Sequence, residues 1–432
     1  MRTFDKIGWV LSINNCGDFL MGGKKDNASE SFFSLMSIAE YSLWEKIGLS
    51  RVPLSFSLEL TSRCNNNCRH CYINRPAGDR DAKQKELCFE DIKDIVDEAV
   101  SMGALWCLVT GGEPLLREDF PDIYLYLKQK GLLVTLFTNA TLINREHIKL
   151  FAKYPPRDVE VSVYGASRHT YEKVTRHPGS YFSFRQGLDH LLECGSRVRL
   201  KAMVLKSNYR DLPAIARFCR ERTNGAFRFD PFLHLRVDGN QLRNAEIKAE
   251  RLSANQIVAL ERSDPDRFKA LNRECNMLVN TEFCHTSSNK LFFCGAGMSS
   301  FFVDCEGRFR LCSSLSHPDC TYDLRRGSLA EAWYKFTPAI RDMHSERTDY
   351  LENCGSCPIV NLCMWCPANA YLESGKFDLP VEYFCEVAHQ RMVLIQGKEG
   401  LPDSREDEAP EGHASFQGND KKLKTKEEVS AL

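Results

Sequence analysis

Nowhere does this chain approach the roughly 20 consecutive apolar residues that a membrane-spanning helix requires, so no membrane span is expected. Neither sign of charge is in excess: 57 Lys and Arg face 58 Asp and Glu, for a formal net charge of −1. That balance lacks the electrostatic footprint of a nucleic-acid-binding or membrane-surface protein. The opening residues 1–6 have no apolar stretch followed by a small-residue cleavage site, as a secretory signal would, and a cytoplasmic, reducing location is expected. Internal repeats are absent, and no Ser/His/Asp triad or pair of acid–base carboxylates stands out. Apolar residues are not scarce: at 43% of 432 residues they suffice for two domains with tails.

What the chain has in quantity is cysteine, 19 residues of it. In a reducing compartment such a number reads as metal ligands or reactive thiols before disulfides. The distribution agrees, with a triplet at Cys64, Cys68 and Cys71 and a dense field from Cys275 to Cys385. Cys16, Cys88, Cys107, Cys194 and Cys219 are scattered, and each is accounted for as a small buried side chain.

The triplet lies in the run Thr61-Ser62-Arg63-Cys64-Asn65-Asn66-Asn67-Cys68-Arg69-His70-Cys71-Tyr72, with three residues between the first two cysteines and two between the last two. Thiolates this close in sequence gather around one small cluster with little loop-closure cost. A [4Fe–4S] cube takes up to four ligands, usually thiolates, so three leave one iron open to another molecule. A zinc knuckle completed by His70, a ferredoxin-like relay and three unrelated buried thiols are the alternatives. The spacing CxxxCxxC with an aromatic residue before the last cysteine, here His70, resembles the signature of the radical S-adenosylmethionine (SAM) enzymes. The resemblance implies that the open iron binds the amino and carboxylate groups of SAM's methionine. It also implies that an electron from the cluster cleaves the sulfonium to a 5′-deoxyadenosyl radical, which abstracts hydrogen from an unactivated carbon.

Between residues 54 and 231 apolar runs alternate with amphipathic stretches. Strands are expected at 56–60, 105–110, 132–138, 159–164, 198–204 and 226–230, and helices at 89–102, 120–130, 144–152, 182–193 and 212–222. Such alternation implies parallel βαβ units. Six of them fit an α/β fold, a partial or complete barrel with its chemistry at the C-terminal ends of the strands. The radical SAM resemblance implies the partial (β/α)6 TIM-like barrel, followed by a cysteine-rich auxiliary-cluster domain. The expected organisation is an N-terminal segment 1–53 with one amphipathic helix at 32–47, a core barrel 54–235 and a helical connection 236–269. Then come the cysteine-rich domain 270–396 and a charged, disordered tail 397–432. Within the connection, Ser253 is a candidate cap for a helix over 254–262.

Thr110-Gly111-Gly112-Glu113-Pro114 ends the second expected strand. Two glycines without Cβ atoms let a ligand or a backbone come close, although an ordinary strand-to-helix turn uses them too. In order and place the run matches the radical SAM family's GGEP motif, and the resemblance assigns Gly111, Gly112 and Glu113 to the surface holding SAM's methionine amino group. It offers Ser162 first and Asn139 second, at the ends of two further strands, as polar contacts to the ribose and methionine. Arg176 stands where relatives often place an arginine reaching the carboxylate, or is a solvated helix charge. Many relatives carry Asp where this chain has Tyr164. Asp230 and Asp238, beside Pro231 and Gly239, read as turn formers.

The second cysteine field has Cys294, then Gly307 and Cys312, then Cys354-Gly355-Ser356-Cys357, Cys363, Cys366 and Cys385. It resembles the seven-cysteine SPASM extension of radical SAM enzymes, and the whole resemblance spans about residues 54–395. The family's pairing implies two auxiliary iron–sulfur clusters, one on Cys354, Cys357, Cys363 and Cys385, the other on Cys294, Cys312 and Cys366. The second needs a fourth ligand or leaves an iron open. Cys284 is the nearest upstream candidate, with Cys275 behind it and Cys305 and Cys320 further back. Cys363 and Cys366 are separated by two residues where the common pattern has three. Paired zinc sites are the alternative, since Cys-x2-Cys serves zinc as well.

The expected function is that of a maturase modifying a peptide or protein side chain, fed by an external ferredoxin- or flavodoxin-type electron donor and involving no nucleic acid. A small-molecule cofactor- or haem-pathway radical enzyme is the second reading, and a non-catalytic metal-cluster scaffold the third.

Overall fold

The computed structural model describes residues 50–223, 227–265, 267–269, 271–272 and 289–396. The helix expected at 32–47 and the tail after 397 lie outside them. Six parallel strands form the centre: β1 Ser55–Glu59, β2 Trp106–Thr110, β3 Leu133–Thr138, β4 Asp158–Ser162, β5 Val198–Met203 and β6 Phe227–Asp230. Each pairs with its successor in parallel register, as in Leu58 opposite Val109 and Val161 opposite Leu200. Besides a short helix at Arg80–Lys85, the helices between them are α1 Phe89–Ser101, α2 Phe120–Gln129, α3 Arg145–Lys153, α4 Arg168–Thr175, α5 Ser180–Glu193 and α6 Leu212–Arg222. Parallel neighbours need crossovers of this length. The result is the expected partial (β/α)6 barrel.

Strand periodicity explains the two faces. Phe56, Leu58, Val109, Leu136, Val161 and Leu200 are buried against the helices. The other face carries charged side chains among apolar ones: Glu160 on β4 pairs with Lys201 on β5 at 3.1 Å and with Arg228 on β6 at 3.3 Å. Alternation of period two therefore separates a packing face from a charged one.

Helix α4 was not anticipated. Its sequence is short and polar, but Ser167 caps it through Thr170 N and it buries Tyr171 and Val174. Of the scattered cysteines, Cys107 and Cys219 are buried as expected and Cys194 is half-buried. Cys88 is instead exposed: its side chain caps α1 by accepting from Asp91 N, which accounts for a polarisable group outside the core. Cys16 lies outside the described residues.

The cysteine-rich region is fused to the barrel sheet. Its strand β7 Ser300–Val303 pairs in parallel with β1, and β8 Arg308–Arg310 and β9 Tyr322–Asp323 follow antiparallel, so nine strands form one sheet open between β9 and β6. Phe56 stacks on Phe301 with ring centroids 5.4 Å apart, and Phe301 meets Trp333 at 5.9 Å. One continuous hydrophobic core runs through both regions. Beyond β6, α7 Gln241–Ala249 and α8 Ala254–Ser263 make the connection, and α8 starts at Ser253 with a capping box to Gln256. Helices α9 Pro367–Ser374 and α10 Glu382–Ile395 close the described part. No described helix is long and apolar enough to cross a membrane.

Candidate active site

The loop after β1 carries Cys64, Cys68 and Cys71, whose thiols lie close enough to interact electrostatically with one another. Burial first, and each other's charge second, push the Cys68 thiol far above its ordinary range. Proton-bearing thiols packed together in this way suit a cationic centre, which would take them as thiolates. Two buried nitrogens beside them, Asn66 Nδ2 and His70 Nδ1, have no hydrogen-bond partner among the described residues. Burial, with the Arg243 charge adding to it, lowers His70 to about 4, which keeps its ring neutral.

Two arginines that sequence reasoning missed grip this loop. Arg243 donates to Cys68 O at 2.8 Å, and Arg236 to Cys71 O at 3.3 Å and Asn74 Oδ1 at 2.9 Å. Arg236 is itself held in a two-pronged pair with Asp238, at 2.8 and 2.7 Å. Asp238 therefore does more than form a turn. Because these side chains lie some 165 residues beyond the cysteines, only the fold reveals them.

The glycines at the end of β2 serve a close backbone approach. Gly112 N donates to Thr61 O at 2.7 Å and Glu113 N to Arg63 O at 2.9 Å. A Cβ on Gly112 would stand 2.2 Å from Arg63 O, and one on Gly111 2.6 Å from Thr61 O, so the pair presses the second loop onto the cysteine loop. The Glu113 carboxylate is fully buried. It accepts from Thr138 Oγ1 at 2.8 Å, Asn139 N at 2.7 Å and Leu115 N at 3.2 Å, locking the ends of β2 and β3 together. Burial lifts it to about 7, with those hydrogen bonds opposing the rise.

Asn139 stands at the edge of the triplet, its Nδ2 donating to Asn65 Oδ1 at 2.9 Å and approaching Cys64 Sγ at 3.8 Å. Ser162 bonds the Tyr164 hydroxyl, and Tyr164 in turn bonds the Cys68 thiol. The Tyr164 ring also rests 5.1 Å from that of His70. Tyr164 thus touches the cysteine loop. Arg176 occupies the left-handed position ending α4 and pairs with Glu246 of α7 at 2.9 Å.

The later cysteines fall into two groups. Cys354, Cys357, Cys363 and Cys385 interact with one another; burial first and then these neighbours raise Cys354 to about 12. Cys294, Cys312 and Cys366 form the other group, in which burial and then Cys294 raise Cys312 to about 11. This second trio lines a cavity of about 80 Å³ together with Cys363 of the first group, His234 and Asn369. Cys320 is buried near Cys312, whereas Cys305 bonds Glu59 at the β1–β7 seam. Cys275 and Cys284 lie outside the described residues. Among the described residues no three His, Cys, Asp or Glu side chains stand close enough to chelate a single ion.

A partial α/β barrel with three thiols in its first strand-to-helix loop defines a barrel enzyme. Residues 58–219, which hold the three cysteines and strands β2 to β5, match the Radical SAM superfamily. That family implies a [4Fe–4S] cluster and SAM as cofactors. The chain is 36% identical over 157 residues to the Fe-coproporphyrin III synthase of Methanosarcina barkeri, a match spanning 36% of this chain and 38% of that protein. It is 24% identical to the AdoMet-dependent heme synthase of the same organism, over 78% of this chain and 98% of that protein. With the mycofactocin maturase MftC of Mycobacterium ulcerans it shares 28% identity over 72% of this chain and 82% of that protein. Among solved structures, Streptococcus suis SuiB bound to the precursor peptide SuiA aligns with a TM-score of 0.56 at 18% identity, covering 83% of each chain.

Proposed function

We propose that this protein is a radical SAM maturase that modifies a side chain of a peptide or protein. Cys64, Cys68 and Cys71 would hold the SAM-binding cluster, with Gly111, Gly112, Glu113, Asn139 and Ser162 forming the wall around it. Bound there, the cluster and SAM supply an electron and a carbon-centred radical able to take hydrogen from an unactivated carbon. The chain's own residues orient and shield. Arg236 and Arg243 offset thiolate charge, while Tyr164 and His70 cover the triplet on one side. Arg176, paired with Glu246, would be a further contact for SAM's carboxylate. The two later cysteine groups would carry auxiliary clusters, and an external ferredoxin- or flavodoxin-type protein in the cytoplasm would deliver the electron.

The observation that carries the peptide reading is the alignment of barrel and cysteine-rich region together with a structure holding a precursor peptide. Full-length similarity to a haem synthase favours the second reading, an iron porphyrin as substrate. Anaerobic incubation with SAM, a reductant and either class of substrate separates them. The maturase reading expects 5′-deoxyadenosine formation to rise with a peptide encoded beside the gene, and that peptide's mass to change. Stimulation by an iron porphyrin alone, with a change in the porphyrin's mass, would overturn it.

A further inference from the structure

His234 follows β6 by four residues, in the segment Asp230-Pro231-Phe232-Leu233-His234-Leu235. Phe232, Leu233 and Leu235 are buried, and Arg251 holds Leu233 O at 2.8 Å, so the backbone here is fixed. His234 itself is only half-buried and lines the cavity whose wall includes Cys294, Cys312 and Cys366, with Cys363 also on it.

The orientation of its ring follows from Asn369. Asn369 Nδ2 donates to Met364 O at 3.0 Å, which turns Oδ1 towards His234. Nδ1 of His234 lies 3.0 Å from that oxygen, and since an amide oxygen only accepts, Nδ1 carries the proton. The neutral ring then has its lone pair on Nε2, for which no partner appears among the described residues. A hydrogen bond on one ring nitrogen that fixes the tautomer and frees the other is the usual support of a metal-bound histidine. Asn369 belongs to the same unit as the thiols, because its backbone N–H lies 3.4 Å from Cys366 Sγ at the start of α9.

We propose that His234, through Nε2, is the fourth ligand of the auxiliary cluster held by Cys294, Cys312 and Cys366. The inference rests on the auxiliary-cluster reading above and specifies its incomplete site. A neutral imidazole in place of a thiolate makes the cluster less negative and raises its reduction potential. The barrel thereby contributes a ligand of its own to a cluster otherwise held by the later region.

The test uses full-length protein with Cys64→Ala, Cys68→Ala and Cys71→Ala, so that only auxiliary clusters load, reconstituted anaerobically and labelled with 15N-histidine. Pulsed electron paramagnetic resonance of the reduced protein is expected to show strong 15N coupling from a directly bound imidazole. Adding His234→Cys is expected to abolish the coupling, keep the iron and shift one auxiliary potential negative. Adding His234→Ala instead is expected to lose the coupling while part of that iron remains. Auxiliary iron without 15N coupling, or coupling that persists in both His234 variants, would overturn the inference and move the fourth bond to Cys284, Cys275 or Cys320. Failure to load any auxiliary iron would overturn the cluster reading itself, and this inference with it.

Discussion

The two cysteine regions reach similar ends by opposite routes. Cys64, Cys68 and Cys71 sit on one loop and are gathered by sequence spacing, with little chain to close. The later thiols are drawn from Cys294 to Cys385 and meet only because helices and strands far apart pack together. A local site of the first kind is robust to distant substitutions and fragile to those in its own loop. A dispersed site of the second kind is exposed to any change in the core that assembles it.

The largest expected effect separates them outright. Cys64→Ala, Cys68→Ala and Cys71→Ala together should abolish 5′-deoxyadenosine formation while auxiliary iron and sulfide remain. Undiminished nucleoside from the triple variant would remove the first loop from the chemistry.

The converse change targets the assembly of the later thiols from a distance. Arg391 on α10 pairs with Glu261 on α8 at 2.9 and 2.6 Å, and holds Leu362 O, next to Cys363, at 2.7 Å. Both side chains are almost fully buried. Removing one member of such a pair costs about 3 kcal/mol, since the other charge stays behind, here still touched by Arg267 at 2.9 Å. Arg391→Ala should therefore lose iron from the group of Cys354, Cys357, Cys363 and Cys385 while SAM cleavage persists. Equal loss of iron from the first loop would show that the two regions are not independent.

How much of this could be read from the sequence follows the same division. Six strands and five of their helices are visible because period-two and period-3.6 patterns are local properties, and the triplet is visible because its spacing is. Helix α4 escaped because eight mostly polar residues carry too little periodicity. The pairing of β7 with β1 escaped because some 245 residues separate Ser55 from Ser300, and no local pattern encodes a register at that range. Arg236, Arg243 and His234 escaped for the same reason. An arginine in a polar segment and a histidine in an apolar one carry no signal until the fold shows what they face.

The seam where the two regions share a sheet offers a pH test. Glu59 at the end of β1 is buried and bonded to Cys305, beside the Asp304–Arg310 pair. Burial first and Asp304 second raise its carboxyl to about 7, with Arg310 opposing. The folded protein thus keeps a proton up to about pH 7 that the unfolded chain releases near pH 4.5. Across that window the unfolded state binds fewer protons, so stability falls as pH rises from 4.5 towards 7 and levels off above. The contribution is on the order of 3 kcal/mol. Glu59→Gln should flatten the dependence of the urea midpoint between pH 5 and 7, measured anaerobically, and an unchanged slope would place the titration elsewhere.

The smallest expected effect lies inside the first loop. Tyr164→Phe removes the hydroxyl that bonds Cys68 and Ser162 but leaves a ring to pack on His70 and on Tyr171, 5.8 Å away. Fold and iron content should be unchanged, because the apolar contacts survive. Losing one hydrogen bond to a thiolate costs about 1.4 kcal/mol, which corresponds to a tenfold change in an equilibrium. Fewer hydrogen bonds to cluster sulfur lower the potential, so the first cluster should become harder to reduce and 5′-deoxyadenosine should form several-fold more slowly. The auxiliary potentials should not move, since Tyr164 touches neither later group. A shift in an auxiliary potential, or an unaltered first one, would mean that the hydroxyl does not tune the cluster and that Tyr164 serves the loop only by packing.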